Sequence, residues 1–398
     1  MTAIPTVRAG SAVRVHAAAL REWLGRQGSD LDRYRSRPAS GGLAAAVAQD
    51  RGLLRMLHDA GWSRAGWPEQ AGGLGGSATL RAVLYDELAA AGIEVPEAFV
   101  ILETLGPVLT AYAPDLAVRH LPTYLAGEEL WGQGFSEPEA GSDLASLRTW
   151  ARVDGDSFVL SGQKVWTTLG QFASHAAVLA RTGPPDSGHR GLSMLWVDLA
   201  APGVTVAPIA AASGRDEFAE MFFDGVRVPR SGLVGELDGG WAVAMYLLQY
   251  ERGMYAWLRQ AVLHRRLAET AAAAADRAGP VAHAAIGAAY LALTSLRARS
   301  RTTVARLAAG ENPGPEISVD KILLSRAEQA VYDAVLATRQ EALLVGDGPE
   351  ETALREEWFY SRATSVFGGA VEVQRDIVAD RVLRLPRAGA NGERDGRG

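Results

Sequence analysis

The stretch TWARVDGDSFVLSGQKVWTT, residues 149–168, alternates apolar and polar side chains over most of its length. This period of two is typical of half-buried β-strands, and an Asp-Gly pair is a strong signal for a tight hairpin turn. We interpret the stretch as three short strands joined by two turns. Later segments continue the pattern: HAAVLART, GLSMLWVDL, VTVAPI and EMFFDGVRVP. Several short strands with tight turns predict a small β-barrel or β-sandwich domain, which we place at residues 131–237.

Helical periodicity flanks this β domain on both sides. Before it, AVRVHAAALREWLGRQ and LAAAVAQDRGLLRMLHDAGW are amphipathic, which predicts an N-terminal helical domain over residues 1–130. After it, four long segments of similar spacing predict a C-terminal four-helix bundle over residues 238–387. The final segment AGANGERDGRG, residues 388–398, is polar, and we expect a disordered tail there. The chain is therefore expected to have an α+β fold in the order helices, strands, helices.

The composition of the 398-residue chain argues against several classes of protein. It has no cysteine and therefore no thiolate metal site, and its seven histidines show no paired ligand spacing, so we predict no metal. A net charge of −6 argues against a nucleic-acid partner. No apolar run has the length of a signal peptide core or a membrane span, so we expect a cytoplasmic protein with no membrane partner. Lysine occurs only twice, against 38 arginines, which we attribute to genome composition.

A carboxylate interrupts the apolar face of the first C-terminal helix. In AMYLLQYERGMYAWL, residues 244–258, apolar side chains recur at helical spacing: Ala244, Leu247, Leu248, Tyr255 and Leu258. Glu251 falls on that stripe, and Arg252 follows it. Two explanations are open: Glu251 carries out chemistry, or it forms a buried ion pair with Arg252 or Arg259. Buried ion pairs are weak stabilisers, which favours the chemical explanation.

Three motifs resemble signatures of the acyl-CoA dehydrogenase family. They are GFSEPEAGSD at 134–143, GQKVWTT at 162–168 and GGAVEVQRDIVADRVLRLPR at 368–387, and they occur in the family's order. GWSRAGWPEQAGG and FFDGVRVP also fit, so the resemblance covers residues 15–387. It implies the helix–barrel–helix order that the periodicity predicts. It also implies an FAD enzyme that introduces a double bond between the α- and β-carbons of an acyl thioester.

The resemblance assigns the flavin ring to residues of the first two motifs. Phe135 and Ser136 would contact the pyrimidine edge of the ring, where preorganised donors stabilise the negative charge that develops on reduction. Trp166 would stack on the flavin face away from the substrate. Thr168 would donate a hydrogen bond near N5, where the hydride arrives. Taken singly, each of these residues would be read as a turn or strand residue, and only their joint spacing favours a cofactor.

The rest of FAD is assigned less completely. Ser142 would bind the pyrophosphate, next to Gly141, whose small size lets the backbone approach a phosphate. Glu372 and Gln374 would reach toward the adenosine. The family usually adds an arginine, a Phe-Gly pair and a Gln-x-x-Gly-Gly stretch from a neighbouring subunit. This sequence has no R-x-x-F-G, and ALLVGDG stands where the glycine pair is expected.

The resemblance also points to the catalytic base. Many family members place a glutamate just before the glycine of the closing motif, but Gly368 occupies that position here. A minority place it on the first helix of the C-terminal domain, followed by arginine, and QYERG matches that arrangement. Glu251 would then abstract the α-proton. The substrate-binding residues would be Arg252, Ser142 and Gly368.

The expected function is FAD-dependent α,β-dehydrogenation of an acyl-CoA, with an electron-transfer flavoprotein as the electron acceptor. One alternative is a desaturase or oxidase that acts on a thioester bound to an acyl-carrier protein. Another is a non-catalytic partner subunit of a heteromeric dehydrogenase, suggested by Gly368 and the missing inter-subunit motif. Because the family binds FAD across a subunit interface, we expect a homodimer or homotetramer, with a heteromer as the alternative.

Overall fold

The N-terminal region is helical, as predicted. The computed structural model describes residues 10–36, 42–275 and 279–386. Five helices precede the sheet: α1 (Ser11–Gln27), α2 (Gly42–Asp59), α3 (Ala78–Ala90), α4 (Glu97–Tyr112) and α5 (Pro114–Leu125). The α4 helix is apolar on nearly every side because it lies under the other elements, where Leu102 and Leu105 have no solvent exposure.

The middle region is a single mixed sheet of eight strands. The strands are β1 (Trp131–Gly134), β2 (Trp150–Asp154), β3 (Ser157–Thr168), β4 (His175–Arg181), β5 (Leu192–Asp198), β6 (Val204–Ile209), β7 (Phe218–Pro229) and β8 (Leu233–Val234). Their order is β6-β7-β3-β2-β4-β5-β8, and β1 pairs with β4 in parallel. The prediction of three strands within residues 149–168 is wrong, because β3 continues through Gly162. The irregularity there is a shift in register against β7 rather than a turn.

The C-terminal region is a helical bundle. It contains α6 (Gly240–Ala274), α7 (Pro280–Ala308), α8 (Ser318–Thr338), α9 (Gln340–Val345), α10 (Pro349–Ala363) and α11 (Val371–Ile377). Three of the four predicted helices correspond to α6, α7 and α8. The fourth, predicted over residues 356–385, is divided into α10 and α11 by a turn that contains Gly368 and Gly369. The order of helices, strands and helices confirms the predicted fold class. The predicted tail at 388–398 lies outside the described residues.

One apolar core joins the three regions. It includes Leu54 and Leu102 from the N-terminal helices, Trp131 from β1, Trp196 from β5 and Leu247 from α6. Since α6 packs on α3, α4 and β5 as well as on α7 and α8, its first turns lie where the helical regions and the sheet meet. Clefts at such junctions are common binding sites.

Helix α7 has an apolar exposed face. Val281 is 80% exposed and Leu291 is 68% exposed. Among the helices of the described ranges, α7 is the one with the length and hydropathy of a membrane span, with a mean hydropathy of 1.2 over 18 residues. A single helix of this kind is weak evidence for a membrane, since length and composition alone do not separate a membrane span from a helix that packs against protein.

Candidate active site

The carboxylate of Glu251 lies at the edge of a buried helical stripe. Ala244, Leu247, Tyr255 and Leu258 are buried on α6, whereas Glu251 itself is half-buried. Close packing fixes this part of the helix, because a Cβ at Gly253 would lie 2.8 Å from the Thr303 side chain of α7. The carboxylate is therefore carried by a rigid element and keeps part of its surface accessible.

Strand β1 connects Glu251 with the GQKVWTT motif. The side-chain amide of Gln133 donates to Glu251 Oε2 at 3.4 Å. The backbone carbonyl of the same residue accepts a hydrogen bond from Thr167 Oγ1 at 3.2 Å. The helix that carries the proposed base and the strand that carries the proposed flavin residues are thus joined through one glutamine.

The closing motif brings Gly368 against Glu251. Both Gly368 and Gly369 have left-handed backbone conformations, with φ of 64° and 95°. A Cβ at Gly368 would lie only 2.8 Å from Glu251 Oε1, well inside van der Waals contact. The carbonyl of Gly368 lies 3.4 Å from Arg252 Nε, which donates to it. The Glu251 carboxylate therefore occupies the space in which a side chain at position 368 would begin.

Lys321 lies next to Gly368, on the side of α8. It lies on α8, is 2% exposed, and its Nζ donates to the carbonyl of Thr364 at 2.6 Å. Its Nζ lies 4.3 Å from the centre of the Phe367 ring and would lie 3.6 Å from a Cβ at Gly368. Burial lowers the pKa of Lys321 to about 8, although the charges of Glu251 and Glu328 oppose that shift.

A buried ion pair supports the GFSEPEAGSD segment. Lys164, fully buried on β3, donates to Glu137 Oε1 at 2.8 Å and to the Phe135 carbonyl at 3.0 Å. Glu137 also accepts the backbone N–H groups of Arg148 and Thr149. Burial alone would raise the pKa of Glu137, but the Lys164 charge and these hydrogen bonds outweigh it and the pKa is lowered. The segment that begins the proposed flavin site is therefore held by a charged anchor.

The remaining flavin residues lie around this anchor. Ser136 is half-buried, and its carbonyl accepts the Val165 N–H at 2.9 Å, which ties the first motif to β3. Trp166 is 58% exposed and has a left-handed φ of 63°, at a register irregularity between Lys164 and Thr167. This backbone conformation is costly for a side chain as large as tryptophan, and such strain is concentrated at functional sites.

The other predicted positions differ in accessibility. Thr168 is half-buried at the end of β3, and Phe135 is buried. Gly141 and Ser142 are exposed, and no atom outside its immediate neighbours lies within 4 Å of a Cβ at Gly141. This open, small-residue segment leaves room for a phosphate group to approach the backbone.

Glu372 and Gln374 occupy different environments on α11. Glu372 is exposed and remains available for a cofactor or partner. Gln374 is fully buried, and its amide lies against Gly369. The prediction of a direct adenosine contact is not supported for Gln374, because its side chain has no accessible surface. Both of its amide atoms lack a hydrogen-bond partner, so the residue lies under the glycine turn as an unsatisfied polar group.

The ion-pair explanation of Glu251 finds no support in the contacts. Arg259 donates to Glu328 at 2.6 Å and to Glu357 at 3.0 Å. Among the described residues, no ion pair links Glu251 to Arg252 or Arg259. Arg252 is instead directed to the Gly368 carbonyl, and burial lowers its pKa while the Glu251 charge opposes the shift.

Sequence reasoning missed Gln133 and Lys321. Gln133 lies just before the first motif, in a short strand that carries no signal of its own. Nothing in the sequence singled out Lys321 beyond the rarity of lysine, and the structure shows that both lysines are buried against backbone of the candidate site.

The structure also brings together histidines that are distant in sequence. His120 Nδ1 and Glu129 Oε2 are 3.1 Å apart, and the His120 and His175 rings are centred 4.4 Å apart. Burial, together with the charge of His120, lowers the pKa of His175. The ring of His175 stacks on Trp196. We interpret this cluster as a polar contact between α5 and the sheet.

The fold and the site define a class of oxidoreductase with helical outer domains and a β domain between them. The sequence matches three family models: the N-terminal domain of acyl-CoA dehydrogenase over residues 41–128, the middle domain over 132–226 and the C-terminal domain over 238–383. This chain belongs to the acyl-CoA dehydrogenase family, whose members are flavoproteins.

Relatives and solved structures agree with this membership. The acyl-CoA dehydrogenase IpdE1 of Mycobacterium tuberculosis is 37% identical, over 86% of this chain and 89% of that protein. The acyl-CoA dehydrogenase FadE26 of the same organism is 33% identical, over 84% and 88%. The structure titled Tcur3481-Tcur3483 steroid ACAD matches with a TM-score of 0.80 at 28% identity, over 96% and 100%. The ChsE4-ChsE5 complex from Mycobacterium tuberculosis matches with a TM-score of 0.79 at 27% identity, over 96% and 100%.

Proposed function

We propose that this chain removes the α- and β-hydrogens of an acyl-CoA with FAD as cofactor, and that Glu251 is the base. The observation that carries the proposal is the meeting of Glu251 and Gly368. In the family the base comes from one or the other of these positions, and here the Glu251 carboxylate oxygen occupies the space beside Gly368. Glu251 on α6 can therefore act as the base at the place where other family members use a glutamate at position 368.

The surrounding residues orient this carboxylate. Gln133 donates to Glu251 Oε2, which leaves Oε1 on the side of Gly368 to accept the α-proton. Arg252 is held by the Gly368 carbonyl, close to where the thioester or its pantetheine arm would pass. The apolar side chains of α6 exclude water from one side of the site, and a dry site strengthens the electrostatic interactions within it.

The residues of the β domain fit a flavin. Trp166 offers an exposed aromatic face, Ser136 and Thr168 offer hydroxyl groups, and the open segment at Gly141 and Ser142 suits a phosphate. The flavin, when bound, accepts the hydrogen that leaves the β-carbon together with its electron pair. The product is then the α,β-unsaturated thioester, with the α-proton on Glu251.

The proposed substrate is an acyl-CoA, and the relatives indicate where a screen should begin. One structural neighbour is titled a steroid ACAD, so thioesters of steroid-derived acids belong in the first panel, beside straight-chain and branched ones. We propose an electron-transfer flavoprotein as acceptor and a cytoplasmic location. Acyl-carrier-protein thioesters, offered in parallel, would show whether the carrier-bound alternative is correct.

We propose further that the chain works in an oligomer, with a second family subunit as one candidate partner. The R-x-x-F-G and Gln-x-x-Gly-Gly motifs are absent from the sequence, and the apolar face of α7 is exposed. One structural neighbour is the ChsE4-ChsE5 complex from Mycobacterium tuberculosis. A lone monomer by light scattering that retains FAD and full activity would contradict this assembly.

The test of the function is single-turnover bleaching of the flavin absorbance in Glu251→Gln. This substitution keeps the shape of the side chain and removes the proton acceptor. Loss of a general base typically slows a reaction by about 10²–10⁴-fold, so bleaching should slow by at least the lower value while FAD remains bound. Glu269→Gln, the same change at an exposed position of the same helix, is the control and should bleach normally. Undiminished bleaching in Glu251→Gln would exclude Glu251 as the base.

A further inference from the structure

Glu251 has a cationic neighbour that the family motifs do not include. Lys321 lies on α8, seventy positions further along the chain. Its ammonium group and the Glu251 carboxylate both lie close to the position of a Cβ at Gly368. Measured from a Cβ at Gly368, Glu251 Oε1 would be 2.8 Å away and Lys321 Nζ would be 3.6 Å away. Both charged groups therefore border the space that a side chain at position 368 would occupy.

The geometry points to Lys321 as a positioning residue that keeps Glu251 ionised and fixes the Gly368 turn beneath it. This inference rests on the proposed function, since it concerns the protonation state of the proposed base. A cation within a few ångströms of a carboxylate favours its ionised form, and the effect is larger in a buried setting than at the surface.

Three observations support this role over that of a buried structural lysine. First, no carboxylate of the described residues forms an ion pair with Lys321, and its ammonium group donates to the neutral Thr364 carbonyl. Second, Ser325 Oγ donates to the same carbonyl at 2.6 Å, so the turn already has a neutral donor. Third, 38 of the 40 lysine and arginine residues are arginine, but this position is a lysine. The ammonium group of lysine is narrower than a guanidinium group and fits beside Gly368 and the Phe367 ring.

The charges that face Lys321 come from two helices. On α6, Glu251 favours its protonated form and Arg252 opposes it; on α8 itself, Glu328 favours it. The turn at 364–369 contributes a carbonyl, an aromatic ring and glycine backbone but no charge. Burial lowers the pKa of Lys321 to about 8, so the ammonium form is retained at neutral pH. Arg252 remains next to Glu251 in any Lys321 variant, which limits the expected change.

The experiment separates charge from hydrogen bonding. Lys321→Met removes both, Lys321→Gln keeps a donor without the charge, and Lys321→Arg keeps the charge. Ser325→Ala is the matched control, because it removes a hydrogen bond to the same Thr364 oxygen and leaves every charge in place. Each variant is first checked for bound FAD and for cooperative thermal unfolding.

The first readout is the pH profile of flavin bleaching by substrate. We expect the acid limb to move to higher pH by about one unit in Lys321→Met and Lys321→Gln, the size of effect that a nearby opposite charge typically has. Ser325→Ala should keep the wild-type limb, and Lys321→Arg, which keeps the charge on a wider group, should move it less than the two neutral variants do. A limb that moves equally in Ser325→Ala, or stays in place in both neutral variants, would overturn the inference.

The second readout does not depend on activity. Carbon-13 NMR of protein labelled at the glutamate carboxyl groups follows the protonation of Glu251 directly, with the signal assigned by its loss in Glu251→Gln. The midpoint of this signal should shift upward in the neutral Lys321 variants only. If no acyl-CoA bleaches the wild-type flavin, the proposed function fails, and this titration still decides whether Lys321 controls the carboxylate. Should Lys321→Met not fold, Lys321→Gln gives the same test.

Discussion

Glu251 Oε1 lies 2.8 Å from the position that a Cβ at Gly368 would occupy. The two residues are more than a hundred positions apart, and the backbone of one leaves room for the carboxylate of the other. Glycine suits position 368 for two reasons: its φ of 64° is unfavourable for other residues, and the Glu251 carboxylate fills the space in which a side chain would begin. Both features lead to predictions.

The first prediction concerns Gly368→Ala. The added methyl group collides with Glu251 and displaces the base, so the rate of flavin bleaching should fall by at least about 10-fold, since small misplacements of a reacting group are costly. Flavin binding should change little. Gly310→Ala is the control for backbone strain, because Gly310 has a similar φ of 73° and open space around it. Equal rates in the two variants would show that Gly368 does not limit the position of Glu251.

The second prediction concerns relocation of the base. In Glu251→Ala the space beside Gly368 is cleared, and the added change Gly368→Glu should recover part of the bleaching rate. The same change in a Glu251→Gln background should recover nothing, because the glutamine still fills that space. The glutamate at position 368 should cost about 1–2 kcal/mol of stability for its left-handed backbone. Equal recovery in both backgrounds would contradict the steric argument.

The third prediction concerns Trp166. Its left-handed φ of 63° suits glycine, and its side chain is 58% exposed. Trp166→Gly should therefore unfold at the same or a higher temperature in the cofactor-free protein, since glycine removes the backbone strain. Its affinity for FAD should fall by at least about 10-fold, because an aromatic stacking surface of this kind contributes about 1–3 kcal/mol. Unchanged FAD affinity would place the flavin elsewhere.

The fourth prediction concerns the Lys164–Glu137 anchor. Removing one partner of a buried ion pair leaves an uncompensated charge, which costs about 3–5 kcal/mol. Glu137→Gln should destabilise the protein by an amount in this range in urea unfolding. The double variant Glu137→Gln with Lys164→Met should be more stable than Glu137→Gln alone. An additive result, with the double variant less stable than either single one, would argue against coupling between the two residues.

The fifth prediction concerns stability in mild acid. Burial, with the charge of His120, lowers the pKa of His175 below its usual value of 6.5. Below pH 6.5 the unfolded chain binds this proton more readily than the folded protein, so the free energy of unfolding should decrease as the pH falls from 7 toward 5. His175→Gln should reduce that decrease, whereas His283→Gln, at an exposed position, should not. Urea unfolding at each pH measures the effect, and identical slopes in both variants would contradict it.

The order of the elements could be predicted from the sequence because each region has one dominant period. The helices show apolar residues at helical spacing, and in most strands apolar and polar residues alternate. The exception is β3, where Gly162 in a serine-glycine pair indicated a turn but accommodates a bulge with a φ of 145°. Turns and bulges favour the same residue types, so the sequence could not distinguish them. The pairing of β3 with β7 shows that Gly162 lies in a bulge.

Residues of the candidate site could be proposed from the sequence where they lie in a recognisable motif. The apolar stripe of α6 singled out Glu251, and the family motifs singled out Ser136 and Trp166, whose segments are joined by the backbone hydrogen bond between Ser136 and Val165. Gln133 and Lys321 could not be found in this way, because their importance comes from contacts across 118 positions for the first and from a shared neighbour for the second. Gln374 lies in a motif but its side chain is buried. The motif alone could not show this burial.

The double attachment of Gln133 connects the two sides of the proposed site through β1. Its side chain holds Glu251 and its carbonyl holds Thr167, next to Trp166. Any ordering of β1 that one ligand produces changes the free energy with which the other binds, and the change is the same in both directions. In the proposed complex, the cofactor on the sheet side would change the affinity for a thioester at Glu251, and the thioester would change the affinity for the cofactor by the same factor.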